Sequence, residues 1–339
     1  MTNLIGKTAE QIDTLLAPHV DRGFRSRQVA HWILQRHAAS FAEMTNLPAE
    51  LRSRLENAFV LREPTVVGVS ASRDGSRKYL FELSDGATVE GVAMAEGRKL
   101  TLCLSSQSGC AVGCTFCVTG ALGAGRNLRP DEIVGQYRVM LRGTDAERVN
   151  IVFMGMGEPL LNTGNLGDAL DVLTERVSPK RITVSTAGIV PGIRWLAGRE
   201  RRPKLAVSLN APDQERRQRI MPIARRYPLD QLMAELRRFP LETGRRITFE
   251  YVVIRDFNDA LEDAARVARL VRGIPCKVNV IPLNEDPDFL AGLRQPEAAV
   301  VDRFSMALRD AGLTATVRWS KGSDVAAACG QLKGRQGVP

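Results

Sequence analysis

From residue 99 onward the chain alternates short apolar, β-branched runs with stretches of helical spacing. The runs cover 99–105, 150–154, 181–185, 204–209, 247–254, 277–281 and 314–318. Such alternation predicts a parallel sheet covered by helices, an α/β architecture. Several runs end in polar or glycine-rich tails: Gly155-Met156-Gly157-Glu158, Thr186-Ala187-Gly188, Asn210 and Asn284. Functional groups at the C-terminal ends of successive parallel strands are how α/β barrels build their sites. Upstream, residues 78–83 and 88–92 read as two strands around the Asp85-Gly86 turn, a β-hairpin. The first 60 or so residues read as helical. Val29, Ile33 and Leu34 recur at helical spacing over 26–36, with Trp32 beside them, and a second helix is expected over 48–59. Residues 1–13 are polar and read as a plain helix start, and the end of the chain from Lys333 is expected to fray.

Composition narrows the classes. No apolar run approaches the roughly 20 residues of a membrane span, and the start does not read as a signal peptide, so a cytoplasmic protein is expected. The net charge of +9 points to a polyanionic partner, nucleic acid first. Arg194, Arg199, Arg201, Arg202, Lys204, Arg216, Arg217, Arg219, Arg225 and Arg226 crowd one stretch and read as a phosphate-tracking surface. The three histidines all lie by position 37, so chemistry in the rest of the chain falls to thiols and carboxylates.

Three of the six cysteines supply the strongest signal. Cys110-Ala-Val-Gly-Cys114-Thr-Phe-Cys117 places three thiols on one tight loop, where they can ligate three irons of a 4Fe-4S cluster. Gly109 and Gly113 let the backbone wrap closely around an inorganic cube. One iron stays open for a small chelating molecule, and a zinc site would want a fourth Cys or His. This spacing is the signature of radical-SAM enzymes, in which S-adenosylmethionine (SAM) caps the open iron. Glu158, leaving the 150–154 strand, suits a ligand ammonium, and Ser185, Ser208, Asn210 and Asn284 stand at strand ends where ribose and carboxylate oxygens can be held. Cys103, in an apolar strand, reads by itself as a small core residue, as does Cys276 after Pro275. Glu90 alternates with Val89 and Val92 and, by strand pattern alone, reads as an ordinary exposed carboxylate.

Taken together, the chain resembles the radical-SAM RNA adenosine methyltransferases of the RlmN/Cfr type. The motifs carrying the resemblance include Phe24-Arg25-Ser26-Arg27-Gln28, Asp74-Gly75-Ser76-Arg77-Lys78, Ser105-Ser106-Gln107-Ser108-Gly109-Cys110, Gly155-Met156-Gly157-Glu158-Pro159 and Ala328-Cys329-Gly330-Gln331-Leu332. The resemblance implies a partial (βα)6 radical-SAM barrel with a small helical N-terminal domain and a β-hairpin extension. The expected division is an RNA-contacting helical domain over 1–62, the hairpin over 63–95, and the radical-SAM core with its C-terminal cysteine segment over 96–335.

The resemblance also assigns roles. Cys110, Cys114 and Cys117 match the cluster ligands, and Gly157, Glu158, Ser185, Ser208, Leu209, Asn210 and Asn284 match SAM-contacting positions. Cys329 matches the cysteine that carries a methyl group, Cys103 its resolving partner, and Glu90 the proposed proton acceptor. It implies methylation of an adenine ring carbon in 23S rRNA and in tRNA through a methylated cysteine and a transient disulfide. Gly157-Glu158-Pro159-Leu160-Leu161-Asn162 is closer to the C2 than to the C8 branch. A flavodoxin- or ferredoxin-type electron donor and a monomeric protein complete the expectation.

Overall fold

The computed structural model describes residues 1–290 and 292–334. Its strands are β1 (Thr2–Asn3), β2 (Phe59–Val60), β3 (Thr65–Ala71), β4 (Arg77–Glu82), β5 (Thr88–Glu96), β6 (Lys99–Cys103), β7 (Arg148–Phe153), β8 (Ile182–Thr186), β9 (Lys204–Ser208), β10 (Ile247–Val253), β11 (Cys276–Pro282) and β12 (Ala315–Val317). Among the described residues, ten of them form one sheet in the order β12-β11-β10-β9-β8-β7-β6-β5-β4-β3. The part from β6 to β12 is parallel throughout, whereas β3 to β6 run antiparallel.

One face of the parallel strands makes the core. Leu100, Leu102, Ile151, Phe153, Ile182, Val184, Leu205 and Val207 are each at most 5% exposed. Burial of an aliphatic or aromatic side chain stabilises by about 1.5–3 kcal/mol, so this stripe dominates sheet stability. The intervening residues Thr101, Asn150, Thr183 and Lys204 lie on the other face, which lines cavities.

Three helices, α1 (Ala9–Leu16), α2 (Gly23–Leu34) and α3 (Ala49–Ala58), precede the sheet. Residues 1–8 differ from the plain helix start expected. Leu4 and Ile5 are buried, and β1 pairs in parallel with β2, which ties the two ends of the segment together. The helix begins only at Ala9, where Thr8 Oγ1 accepts from Gln11 N–H and Gln11 Oε1 accepts from Thr8 N–H, a reciprocal cap.

The hairpin expected around Asp85-Gly86 is present, and its sheet is wider than expected. β3 adds an outer strand whose residues are mostly exposed, including Val66 and Val69. An edge strand with no buried face has no alternation to announce it. Toward the other end, α4 (Val118–Ala121), α5 (Pro130–Leu141), α6 (Thr163–Thr174), α7 (Val190–Ala197), α8 (Gln214–Ile220), α9 (Leu229–Arg238), α10 (Leu261–Leu270) and α11 (Ala298–Asp310) follow the strands as the alternation predicts. No helix among the described residues is long and apolar enough to cross a membrane. The frayed end is not what Lys333 and Gly334 show: Lys333 N–H donates to Glu90 Oε2 at 2.7 Å. The rest of that expectation, residues 335–339, lies outside the described residues.

Candidate active site

The loop after β6 is pinned before it reaches the cysteines. Ser105 N–H donates to Gln136 Oε1 (2.9 Å) and Gln136 Nε2 returns a bond to Ser105 O (3.1 Å). Ser105 Oγ donates to Glu90 O (2.6 Å) and accepts from Met156 N–H (2.7 Å), so the loops after β6 and β7 are joined by one hydroxyl. Gly109 packs so tightly that a Cβ there would lie 2.6 Å from Gly123 O. The cysteine loop then closes through Cys110 N–H to Gly123 O (2.8 Å), Thr115 N–H to Ile220 O (3.0 Å) and Val118 N–H to Gly330 O (2.7 Å). The last of these fixes the residue beside Cys329 against the loop.

A single cavity is lined by Cys110, Cys114, Cys117, Gly157, Glu158, Ser185, Ser208, Asn284 and Cys329, with Val112, Phe153 and Met154 supplying apolar wall. Eight of the ten residues expected to bind the cluster or SAM therefore converge, joined by Cys329. Leu209 and Asn210 do not. Leu209 is fully buried. Asn210 takes a left-handed backbone (φ 58°) and accepts from Val252 N–H at 2.9 Å, bracing β10 from behind the wall.

Glu158 accepts from Ala187 N–H (2.6 Å) and Leu160 N–H (3.0 Å). Burial nonetheless pushes its carboxyl up to about 7. Burial also pushes the Cys110 thiol up to about 12 and raises Cys114 and Cys117. Four acidic groups thus face one desolvated space, and the nearby Arg217 compensates only in part. Such a donor set suits a cationic guest. No group of three or more His, Cys, Asp or Glu fit to hold a single metal ion is found among the described residues, and three thiols on one loop around a cavity match an iron–sulfur cube.

A smaller cavity next to the first is lined by Cys103, Cys329, Met154 and Arg318. The two cysteines come from opposite parts of the sequence and share this space. Burial pushes the Cys103 thiol up to about 12, raised further by Cys329 and eased by Arg318. The exposed-carboxylate reading of Glu90 is corrected. Glu90 is 2% exposed and lies 3.1 Å from Lys78 Nζ. The core reading of Cys276 stands: it is buried at the start of β11.

The basic stretch is also corrected. Arg194 pairs with Glu235, Arg199 with Asp171, and Arg216 with Asp213 and Asp263. Arg201 and Arg202 donate to the carbonyls of Thr174 and Ala197. Arg217 is fully buried and donates to the carbonyls of Ala187 (2.7 Å), Ser208 (3.1 Å) and Leu209 (3.2 Å), bridging the ends of β8 and β9. These groups hold the fold; Arg219, Arg225 and Arg226 stay exposed.

Two wall residues were missed in the sequence. Glu250 is buried in the larger cavity, with Oε1 accepting from Asn279 Nδ2 (3.1 Å) and Oε2 without a partner among the described residues. Its signal was present: a carboxylate inside the apolar run Ile247–Val253 is costly to bury without purpose. Arg318 follows a three-residue strand, and no local pattern marks it.

Comparison with known proteins agrees with this geometry. Residues 104–270 match the description "Radical SAM superfamily", and residues 2–61 match "Ribosomal RNA large subunit methyltransferase N-terminal domain". The dual-specificity RNA methyltransferase RlmN of Anaeromyxobacter dehalogenans (strain 2CP-C) is 47% identical over 340 residues, covering 97% of this chain and 91% of that protein. Its counterpart in Geobacter sulfurreducens is 46% identical, covering 99% and 93%. A crystal structure of a radical SAM methyltransferase from Sphaerobacter thermophilus superposes with a TM-score of 0.93 at 42% identity, covering 99% of this chain and all of that one. By these matches this chain belongs to the RlmN family of radical-SAM methyltransferases, enzymes that use a 4Fe-4S cluster and SAM.

Proposed function

We propose that this enzyme methylates C2 of an adenine in 23S rRNA and in tRNA, with Cys329 carrying the methyl group and Cys103 resolving the adduct. The observation that carries this reading is the cavity shared by Cys103 and Cys329 beside the cluster cavity. A plain SAM-binding site needs no such pair. C2 of adenine is not nucleophilic, so direct polar attack on a methyl donor fails there. The cluster and SAM, when bound, supply methyl groups and one-electron hydrogen abstraction.

The chain's own groups divide the remaining work. Cys110, Cys114 and Cys117 hold the cluster, while Glu158, Gly157, Ser185, Ser208 and Asn284 hold SAM. Asn284 Nδ2 also donates to Cys329 O (3.0 Å), which orients the cysteine segment. The Arg318 guanidinium lines the cavity that both cysteines share and partly offsets the burial that raises the Cys103 thiol. Cys329 sulfur would take a methyl group, lose its thiol proton and become a thioether; with one hydrogen atom of that methyl removed by the SAM-derived chemistry, its carbon would bond to the adenine, the adduct's odd electron returning to the cluster. Glu90 takes the ring proton; its Oε2 also accepts from Lys333 N–H, on the segment that carries Cys329. Cys103 then gives up its proton and attacks Cys329 sulfur; the C–S bond breaks with its electron pair on the product carbon, which takes up a proton to become the methyl group, and a disulfide remains.

The enzyme is assigned to the cytoplasm as a monomer that receives electrons from a flavodoxin- or ferredoxin-type donor. The helical segment 1–62 takes a share of RNA contact. The test is anaerobic reconstitution with iron, sulfide, SAM and reductant, then incubation with total RNA from a strain lacking the gene. Nucleoside mass spectrometry should show 2-methyladenosine with the wild type and none with Cys329→Ala. Appearance of 8-methyladenosine instead would overturn the C2 assignment; SAM cleavage without methylated RNA would overturn the substrate.

A further inference from the structure

The pairing of Arg194, Arg199 and Arg216 with carboxylates thins the basic stretch, and Lys204 of that stretch meets cations brought from other parts of the chain. On the cavity face of the sheet, residues follow the strand period of two. Lys99, Thr101 and Cys103 share that face of β6; Thr183 and Ser185 that of β8, with Arg181 just ahead of it; Lys204, Ala206 and Ser208 that of β9. Each series runs from a cation at or just ahead of the N-terminal end of its strand to a cysteine or serine near the SAM end.

The cavity at this cationic end is lined by Lys99, Arg181, Lys204, Arg318 and Lys321, with Glu96 the single acid. Glu96 pairs with Lys99 at 3.1 Å and is also within the field of Lys321. Arg181, Lys204 and Lys321 have no carboxylate within ion-pair distance among the described residues. Burial and the neighbouring Lys277 and Arg245 cations lower the pKa of Lys204, as expected where cations crowd without counter-charge. Trp319, in the same wall, is 49% exposed. Met94, Val152, Arg318 and Lys321 also line the Cys103/Cys329 cavity, so the two spaces adjoin.

We propose that this end of the sheet is where RNA is held, its phosphodiesters on Arg181, Lys204 and Lys321 and a base stacked on Trp319. The proposal deepens the function assigned above and rests on it. SAM lies at the C-terminal ends of the strands and RNA enters from the opposite ends. Cys329, which takes from one and gives to the other, lines both the cluster cavity and the cavity adjoining the RNA entrance. Cations without carboxylate partners select a polyanion, and an exposed indole beside them selects one with bases.

The test uses the cluster-loaded enzyme and a fluorescent RNA hairpin with an unpaired adenosine in its loop, with binding followed by anisotropy across a salt series. Arg181→Gln/Lys204→Gln/Lys321→Gln should weaken binding at least tenfold and lower the salt slope by about one for each cation removed. Arg225→Gln/Arg226→Gln, on the stretch first expected to bind RNA, should leave both unchanged. Trp319→Ala should weaken binding on the order of tenfold with the slope intact. Lys321→Glu, a single change at an exposed position, serves as the arm least exposed to folding failure and should lose more than Lys321→Gln. The visible absorption of the cluster and the affinity for SAM should survive in every variant. Unchanged affinity and slope in the triple variant and in Lys321→Glu would refute the surface while leaving the RNA function standing. Wild-type enzyme that neither binds nor methylates RNA would instead refute the function on which it rests.

Discussion

Lys78 and Glu90 form a buried ion pair, Nζ 3.1 Å from Oε1, between adjacent antiparallel strands. Lys78 faces Val92 and Glu90 faces Leu80, so the pair is a diagonal neighbour contact on one face. The side chains are 14% and 2% exposed. Lys78 also donates to Ala326 O (3.3 Å) and Glu90 accepts from Lys333 N–H, so the pair holds both ends of the segment that carries Cys329.

Removing one partner should therefore cost more than removing both. Lys78→Met is expected to lower stability by about 3–5 kcal/mol, because it leaves a buried carboxylate uncompensated. Adding Glu90→Gln to it should recover most of that loss. A double-mutant cycle by denaturant unfolding measures the coupling; additive losses would show the pair to be independent.

Arg138 joins the helical N-terminal segment to the sheet-covering layer. It is 2% exposed, with Nε donating to Glu63 Oε1 (2.6 Å) and its two terminal nitrogens donating to Ile33 O and Ala38 O. Arg138→Met should cost about 3–5 kcal/mol and leave Glu63 with Arg142 alone. Limited proteolysis should then cleave within the first 62 residues while the cluster-binding part survives. Resistance equal to wild type would exclude this docking role.

His37 should make stability depend on pH. Burial, with the Arg138, Arg176 and Arg142 cations, holds its imidazole down at about 4, against about 6.5 when free. The folded state thus favours the neutral ring. Its contribution is fully present above pH 6.5 and is lost as pH falls toward 4, by roughly 1–2 kcal/mol after allowing for partial solvent screening. Asn is a suitable replacement, because His37 has φ 54° and Asn tolerates that conformation. Unfolding free energies of wild type and His37→Asn should converge with falling pH; a constant gap would contradict the assignment.

Gly157→Ala should damage the SAM loop. Its φ is +95°, and a Cβ there would lie 2.5 Å from Gln107 Cβ. Gln107 Oε1 accepts from Glu158 N–H at 2.7 Å, so displacement of this contact moves Glu158. The expected result is a stability loss of about 2–4 kcal/mol and SAM binding at least tenfold weaker. Cluster absorption should persist, since Cys110, Cys114 and Cys117 lie on another loop. Unaltered SAM affinity would show that Glu158 does not depend on this contact.

Much of the site was legible in the chain itself. The cysteine spacing identifies the cluster loop because three thiolates must be local to share one small cube. The strand-end residues Glu158, Ser185, Ser208 and Asn284 were legible because parallel strands place their C-terminal ends side by side. Arg217 shows the limit: in sequence it is one of many arginines, and only its burial beneath the ends of β8 and β9 separates it from a surface charge.

By itself, the sequence determined the elements with a buried face and the groups whose chemistry is local: the parallel strands, their helices and the three-thiol loop. Periodicity records burial, and motif spacing records ligation within a few bonds. Tertiary structure alone decided which charges are free. The pairing of Arg199 with Asp171, the burial of Glu90 against Lys78, the edge position of β3 and the meeting of Arg181, Lys204 and Lys321 all join residues distant in the chain. Electrostatic partnership depends on distance in space, which no local pattern of residues encodes.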